Sequence, residues 1–264
     1  MLSKASWLPL AEKLDLPDGR SRRVDHDCGS GRTLLLSREG ASLKAYCFRC
    51  NDGAIHTIQE PLADRIARLA AGSKADDTLR LQTATPEGIR DMARWPKPAR
   101  LWFARAGLSS YDAGRLAARF VPETGRVVLP CGDSFWQARS VDGRQPKYIA
   151  PNVDKQYPRY GQADRITLTE DILSAYKVGK VAEGWCMLGT SLPHELMAAI
   201  LRSGKAVNVW LDNDLPPVHP VNRGQMAAVK VLKQLRAAGV SVRNIVTDRD
   251  PKLIPLDEIR KLTS

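Results

Sequence analysis

The sequence predicts a multidomain chain of α/β and α+β class, and three observations carry that prediction. Three cysteines and a histidine sit at the ends of one short polar stretch near the start, HDCGSGRTLLLSREGASLKAYCFRC (26–50). Short apolar runs bounded by turn residues fill the middle, and from residue 165 strand-like runs alternate with helical ones. A chain of 264 residues with a hydrophobic content of 43% can fill more than one core. No run approaches the roughly 20 apolar residues a membrane helix needs. The opening MLSKASWLPLAEKLDLPDGRSRR lacks the apolar segment of a secretion signal. A cytoplasmic protein without membrane contact is expected. In that reducing compartment five cysteines, an odd number, read as thiols or metal ligands rather than disulfides.

Residues 1–60 form the first expected domain. His26-x-Cys28, eighteen residues, and Cys47-x-x-Cys50 offer one nitrogen and three sulfurs, a complete tetrahedral set for structural zinc. TLLLS and SLKAYCF are strand-like and would join two ligand pairs into a small β domain, a zinc ribbon. The first pair has one residue between its members where the common knuckle has two, so Asp25, Asp27 and His56 stand as alternatives to His26. Cys131 and Cys186 lie in apolar runs and are assigned to packing.

Residues 61–88 read as a helix, with Leu62, Ile66 and Leu69 at helical spacing, followed by a polar linker, SKADDTLRLQTATPEG. Residues 89–164 read as a small α+β unit: a helix in SSYDAGRLAARF, then strands RVVLP and SFWQARS around the turn signal CGD. Of the formal net charge of +11, residues 61–165 carry +7. Such a concentration fits an anionic partner as well as an ordinary solvated surface. Arg139, Arg144, Lys147, Lys155, Arg159 and Arg165 are interleaved with Trp136, Tyr148, Tyr157 and Tyr160. That mixture supplies charge for phosphates and faces on which single-stranded bases can stack, although Trp136 is expected in the core.

Residues 165–264 show strand then helix four times: ITL and EDILSAYKVGK, WCML and PHELMAAILRSG, AVNVWL and RGQMAAVKVLKQLRAAG, VRNIVT and LDEIRKL. Parallel strands need crossover connections, so this alternation predicts a parallel sheet with helices on both faces. Ligands of such sheets bind beyond the carboxyl ends of the strands. Glu170 follows the first strand, Asp212 and Asp214 the third, and Asp250 the fourth. Alternate residues of an extended segment point the same way, so the Asp-Asn-Asp spacing lets two carboxylates face one ion. Magnesium takes one or two carboxylates plus waters and phosphate oxygens, and these four acids are its candidate ligands. Helix caps and solvated loop residues are the plainer alternative.

ITLTEDILSAYKVGK, LGTSL, VWLDND and DRDPK together resemble the Toprim domain shared by primases, topoisomerases and some nucleases. With the cysteine-bearing segment in front and WQARSVDGRQPKYIAP between, most of the chain is similar to bacterial-type and tailed-phage DNA primases, in particular the stand-alone phage primases without a helicase domain. The resemblance implies a zinc ribbon, a basic subdomain of the primase core and a Rossmann-like Toprim subdomain that makes RNA primers on single-stranded DNA. It implies that the ribbon helps recognise the template, and that Arg139 and Lys147 contact the incoming ribonucleoside triphosphate or template. Glu170, Asp212, Asp214 and Asp250 would hold magnesium, with manganese as an alternative, and Glu170 is also a candidate general base. No G-x-x-x-x-G-K-[ST] occurs in the sequence, so a separate replicative helicase and DNA polymerase are implied partners. A Toprim nuclease and a non-enzymatic DNA-binding recombination mediator are the rival readings.

Overall fold

A computed structural model describes residues 2–17, 19–39, 42–57, 73–213 and 222–264. It divides into two compact units, Met1–Lys74 and Ala75–Ser264. The helix predicted around Leu62, Ile66 and Leu69 lies outside the described residues.

In the first unit, helix α1 (Lys4–Leu14) precedes an antiparallel meander of β1 (Ser21–His26), β2 (Gly29–Glu39), β3 (Ser42–Cys47) and β4 (Asp52–Thr57). Strand alternation places Leu34 and Leu36 of β2 and Leu43, Ala45 and Cys47 of β3 on one face, against Trp7, Ala11 and Leu16. The strands expected at TLLLS and SLKAYCF are β2 and β3. Helix α1 has no counterpart among the elements expected from the sequence; it contains Pro9, a helix-breaking signal, and the tertiary packing of Trp7 and Ala11 overrides it.

The second unit begins in the stretch read as a linker. That reading needs correction over its first half, since residues 73–80 are helical (α2), while residues 81–88 form neither helix nor strand. Asp76 and Leu79 of α2 are buried, and Arg126 donates through Nε and Nη2 to the two Asp76 oxygens at 2.8 and 2.7 Å. A polar segment can lie in a core when its carboxylate meets a bidentate guanidinium. Helices α3 (Lys97–Arg105) and α4 (Ser110–Arg115) follow, the latter started by a capping box between Ser109 and Asp112. An antiparallel sheet runs in the order β5 (Arg119–Val121), β6 (Arg126–Pro130), β7 (Trp136–Ser140), β8 (Tyr148–Ile149). Trp136 is fully buried, as expected, and its indole donates to the Gln82 carbonyl.

The third sheet has the order β13-β12-β10-β11-β9, with β9 (Arg159–Tyr160) antiparallel and β10 (Arg165–Thr169), β11 (Glu183–Cys186), β12 (Ala206–Val209) and β13 (Val242–Asn244) parallel. Their connecting helices are α5 (Ile172–Gly179), α6 (His194–Ser203) and α7 (Arg223–Ala237), and α8 (Leu256–Thr263) closes the chain. Ile166, Leu168, Val207 and Val209 pack on Leu196 and Ile200 of α6 and Val231 and Leu235 of α7. On the opposite face Asn208, inside the apolar run of β12, donates to Thr167 Oγ1 and to the Thr263 carbonyl of α8, both at 3.2 Å, so its burial is compensated. The chain passes from β10 to β11 on one side and then to β12 on the other. Winding therefore reverses between β10 and β12, which opens a crevice beyond their carboxyl ends. Among the described residues no helix is long and apolar enough to cross a membrane.

Candidate functional site

In the first unit β1 and β2 form a hairpin whose turn is Asp27-Cys28. The turn explains the unusual spacing of the first ligand pair. His26 ends β1 and Cys28 stands in the turn itself, so one intervening residue suffices. Gly29 follows with φ +135, and Arg49 crosses behind it to donate to the Cys28 and Ser30 carbonyls at 3.3 and 2.8 Å; a Cβ at Gly29 would meet that guanidinium at 2.0 Å. The second pair brackets the turn after β3. There Asn51 takes φ +51, and its Oδ1 accepts from the Tyr46 hydroxyl at 2.6 Å.

Together these turns bring one ligand atom each from His26, Cys28, Cys47 and Cys50 within 4.8 Å of one another. Cys28 Sγ lies 3.5 Å from Cys47 Sγ, and Cys50 Sγ lies 3.8 Å from His26 Nδ1. Zinc–sulfur bonds of about 2.3 Å in a tetrahedron give sulfur–sulfur edges of about 3.8 Å, so the donor set fits such an ion in both chemistry and spacing. Burial raises the Cys47 thiol, yet the Cys50 N–H, the Cys28 thiol and the Arg49 N–H outweigh it and bring the thiol down to about 6. Hydrogen bonds with Cys47 and Cys28 push Cys50 up to about 12. Three sulfurs this close ionise together only when a cation joins them. Of the alternatives to His26, Asp25 and Asp27 are exposed and His56 pairs with Leu43 on β4, outside the four-ligand group.

The second site lies at the carboxyl ends of the parallel strands. Glu170 directly follows β10, Asp212 lies beyond the end of β12, and Asp250 precedes the turn Pro251–Leu253 after β13. Asp214 lies outside the described residues. The Asp212 backbone is held closely: its carbonyl accepts from Gln225 Nε2 at 3.4 Å, and a Cβ at Gly224 would meet that oxygen at 1.9 Å, so only glycine lets α7 start there. Asn213 ties the strand ends together, donating to the Thr247 carbonyl at 3.0 Å and accepting from Asn222, the N-cap of α7, at 2.7 Å.

Burial raises the Asp212 carboxyl to about 7; Lys252 draws it down, while Asp250, Glu170 and Asp171 push it up. The three predicted acids described here therefore share one electrostatic environment. Sequence reasoning did not single out two further members. Asp171 caps α5, accepting from Ser174 N at 3.1 Å and Ser174 Oγ at 2.9 Å. Lys252 Nζ donates to Asp171 Oδ2 at 2.9 Å and to Asp250 Oδ2 at 2.6 Å. Burial raises the Asp171 carboxyl, but the Lys252 charge and the Ser174 bonds hold it below the usual range. Burial lowers the Lys252 ammonium, but Asp171, Asp212 and Asp250 together raise it above its ordinary value. Among the described residues no set of three carboxylates is drawn together as the Cys/His ligands are. Two carboxylates are enough for magnesium when phosphate oxygens and waters complete its shell, and Glu170 and Asp212 fit that donor chemistry.

The basic residues are dispersed. Arg139 of β7 lies between the Trp102 and Tyr148 rings, 5.1 and 5.2 Å from their centroids, and donates to the Tyr148 hydroxyl. Tyr148 feels both Asp171 and Lys252, which links this aromatic box to the acidic strand ends. Lys147 is exposed, 5.6 Å from the Tyr148 ring centroid. Arg144 pairs with Asp142 at 2.8 Å in the turn after β7, and Lys155 is exposed. Arg159 lies 4.1 Å from the Trp185 ring centroid, and its charged neighbours are Arg202 and Glu183 rather than the strand-end acids. Cys131 and Cys186 belong to the core of the second unit, and burial pushes Cys131 up to about 12 and Cys186 well above its ordinary value, as packed thiols require.

These features define a protein with a Cys/His-centred β unit followed by a parallel-sheet unit that carries acids at its strand ends. No family model and no curated protein matches the chain. Among solved structures it is similar to a DnaG primase catalytic domain bound to single-stranded DNA, at 15% identity over 75% of this chain and 77% of that chain, with a TM-score of 0.49. It is also similar to an E. coli primase catalytic core, at 17% identity over 75% and 76% with a TM-score of 0.46. A DNA primase domain from Pseudomonas aeruginosa matches at 18% identity over 54% and 53%, with a TM-score of 0.39.

Proposed function

We propose that the protein is a DNA primase of the bacterial and tailed-phage type, making short RNA primers from ribonucleoside triphosphates on single-stranded DNA. The observation that carries this reading is the position of Glu170 and Asp212 at the ends of the neighbouring strands β10 and β12, where the winding of the parallel sheet reverses. The resemblance of the sequence to primases, with ligand segment, basic unit and acid-bearing strands in the same order, supports it.

In this reading His26, Cys28, Cys47 and Cys50 hold structural zinc, which fixes the two turns of the first unit. Glu170 and Asp212 would hold magnesium, which when bound would supply positive charge to offset the negative charge developing on the leaving pyrophosphate. Asp212 must give up its proton to serve as a ligand, and a carboxyl raised to about 7 does so at neutral pH without a large penalty. Arg139, fixed in orientation by Trp102 and Tyr148, presents a planar fork to the triphosphate, and Lys147 adds a point charge at the same edge. A separate helicase and polymerase would act with the enzyme.

The test is incorporation of labelled ribonucleotides on random-sequence single-stranded DNA with magnesium. Wild type should give short RNA, and Asp212→Ala should reduce it by at least a hundredfold without loss of fold, as should Cys47→Ser if the first unit presents the template. Cleaved template in place of RNA would identify a nuclease. Tight binding of DNA with neither reaction would identify a mediator.

A further inference from the structure

The acidic strand ends already contain a cation of their own. Lys252 Nζ bridges Asp171 and Asp250 at 2.9 and 2.6 Å. Its placement is fixed from three directions. Pro251 sets the backbone just before it. Its carbonyl accepts from Lys177 Nζ at 2.6 Å, and Lys177, itself buried, is anchored on the Ala106 carbonyl at 2.8 Å. One of its two carboxylate partners cannot turn away, because Asp171 is locked by two bonds from Ser174 at the start of α5. The Lys252 and Asp171 side chains are each 18% exposed and that of Asp250 32%, so the bridge is partly withdrawn from water.

We propose that Lys252 is the resident counter-ion of this site and occupies the position a second divalent cation would take. It engages Asp250 and Asp171, so the site accepts one divalent ion, at Glu170 and Asp212. This inference rests on the metal-binding reading above. Its chemistry is simple: an ammonium supplies positive charge and three donors but no open coordination positions, whereas a divalent ion would need the same carboxylate oxygens as ligands. Lys252 is thus a positioning residue that sets ion number, and its charge stays in place when the divalent ion leaves.

The experiment is a manganese titration of the zinc-loaded full chain, read by electron paramagnetic resonance and by calorimetry; the thiolate-rich first unit favours zinc over manganese. Wild type should bind one manganese ion, lost in Asp212→Asn. Lys252→Met, which keeps length but removes charge, should bind two, while Lys252→Arg should stay at one. Two ions on wild type, or one on a folded Lys252→Met, would overturn the proposal and leave the metal-binding reading intact. No manganese on wild type would overturn that reading instead. The wild-type stoichiometry requires no variant to fold, so the proposal can fail on it alone.

Discussion

The two candidate metal regions of this protein solve the same electrostatic problem in different ways. In the first unit three cysteines and a histidine are gathered within 4.8 Å, and the nearby Arg49 guanidinium donates to the Cys28 and Ser30 carbonyls rather than to the thiols. Across the strand ends of the second unit, acids that repel one another are bridged by Lys252. Thiols so placed can all ionise together only around an external cation, which would take the place of their protons. The carboxylates have an internal cation, the Lys252 ammonium, bonded to Asp171 and Asp250. The difference predicts that metal is part of the fold in the first unit and part of the chemistry in the second.

The largest expected effect tests the first half of that contrast. Removing the ion by chelation, or substituting Cys47→Ser, should unfold the first unit, since structural zinc contributes on the order of 10 kcal/mol to small domains of this kind. Hydrogen exchange should show protection lost in β1–β4 and retained in β10 and β12. Retained protection in β2 and β3 would mean that the Trp7-centred core suffices alone.

An intermediate effect tests whether internal pairing is the rule in the second unit. Asp76→Ala leaves the fully buried Arg126 guanidinium without its carboxylate and should destabilise by about 3–5 kcal/mol in urea unfolding. Replacing both partners with Leu and Met should recover most of that loss. A loss below about 1 kcal/mol for Asp76→Ala would show that water reaches Arg126 and that the pair is not a core element.

The smallest effect concerns pH. The folded Asp212 carboxyl titrates near 7, above its ordinary value of 3.8, so the folded state favours the protonated form. Its contribution is full below about pH 4 and is lost as pH rises through 7. Without divalent ions, Asp212→Asn should therefore stabilise the protein at pH 8 and change little at pH 4. The expected gain is on the order of 2 kcal/mol, about half of what the shift alone implies, because the carboxyl keeps some contact with water. Equal effects at both pH values would place Asp212 in a more polar setting and weaken the contrast between the two regions.

Much of this was legible in the sequence. The four strand-helix rounds, the strands β2 and β3, and the close grouping of His26, Cys28, Cys47 and Cys50 follow from local pattern: period, turn residues and ligand spacing act over a few residues and survive folding unchanged. The acids could be placed beyond strand ends for the same reason.

What needed the tertiary structure is whatever depends on residues distant in the chain. The polar look of SKADDTLRLQ is that of a linker until Arg126, fifty positions away, comes to Asp76. Strand order, which makes β10 and β12 neighbours and so brings Glu170 and Asp212 to one crevice, has no local signal. Neither has the role of Lys252: in DRDPK it is one basic residue among many, and only the packing of the turn after β13 against the start of α5 brings its ammonium to Asp171, eighty-one positions earlier. Residue chemistry and spacing, local properties, determined which groups this protein can offer to metal and phosphate. Which of those groups meet, and which charge compensates which, was decided by long-range packing, because the desolvation that makes such pairings matter exists only once the core has closed around them.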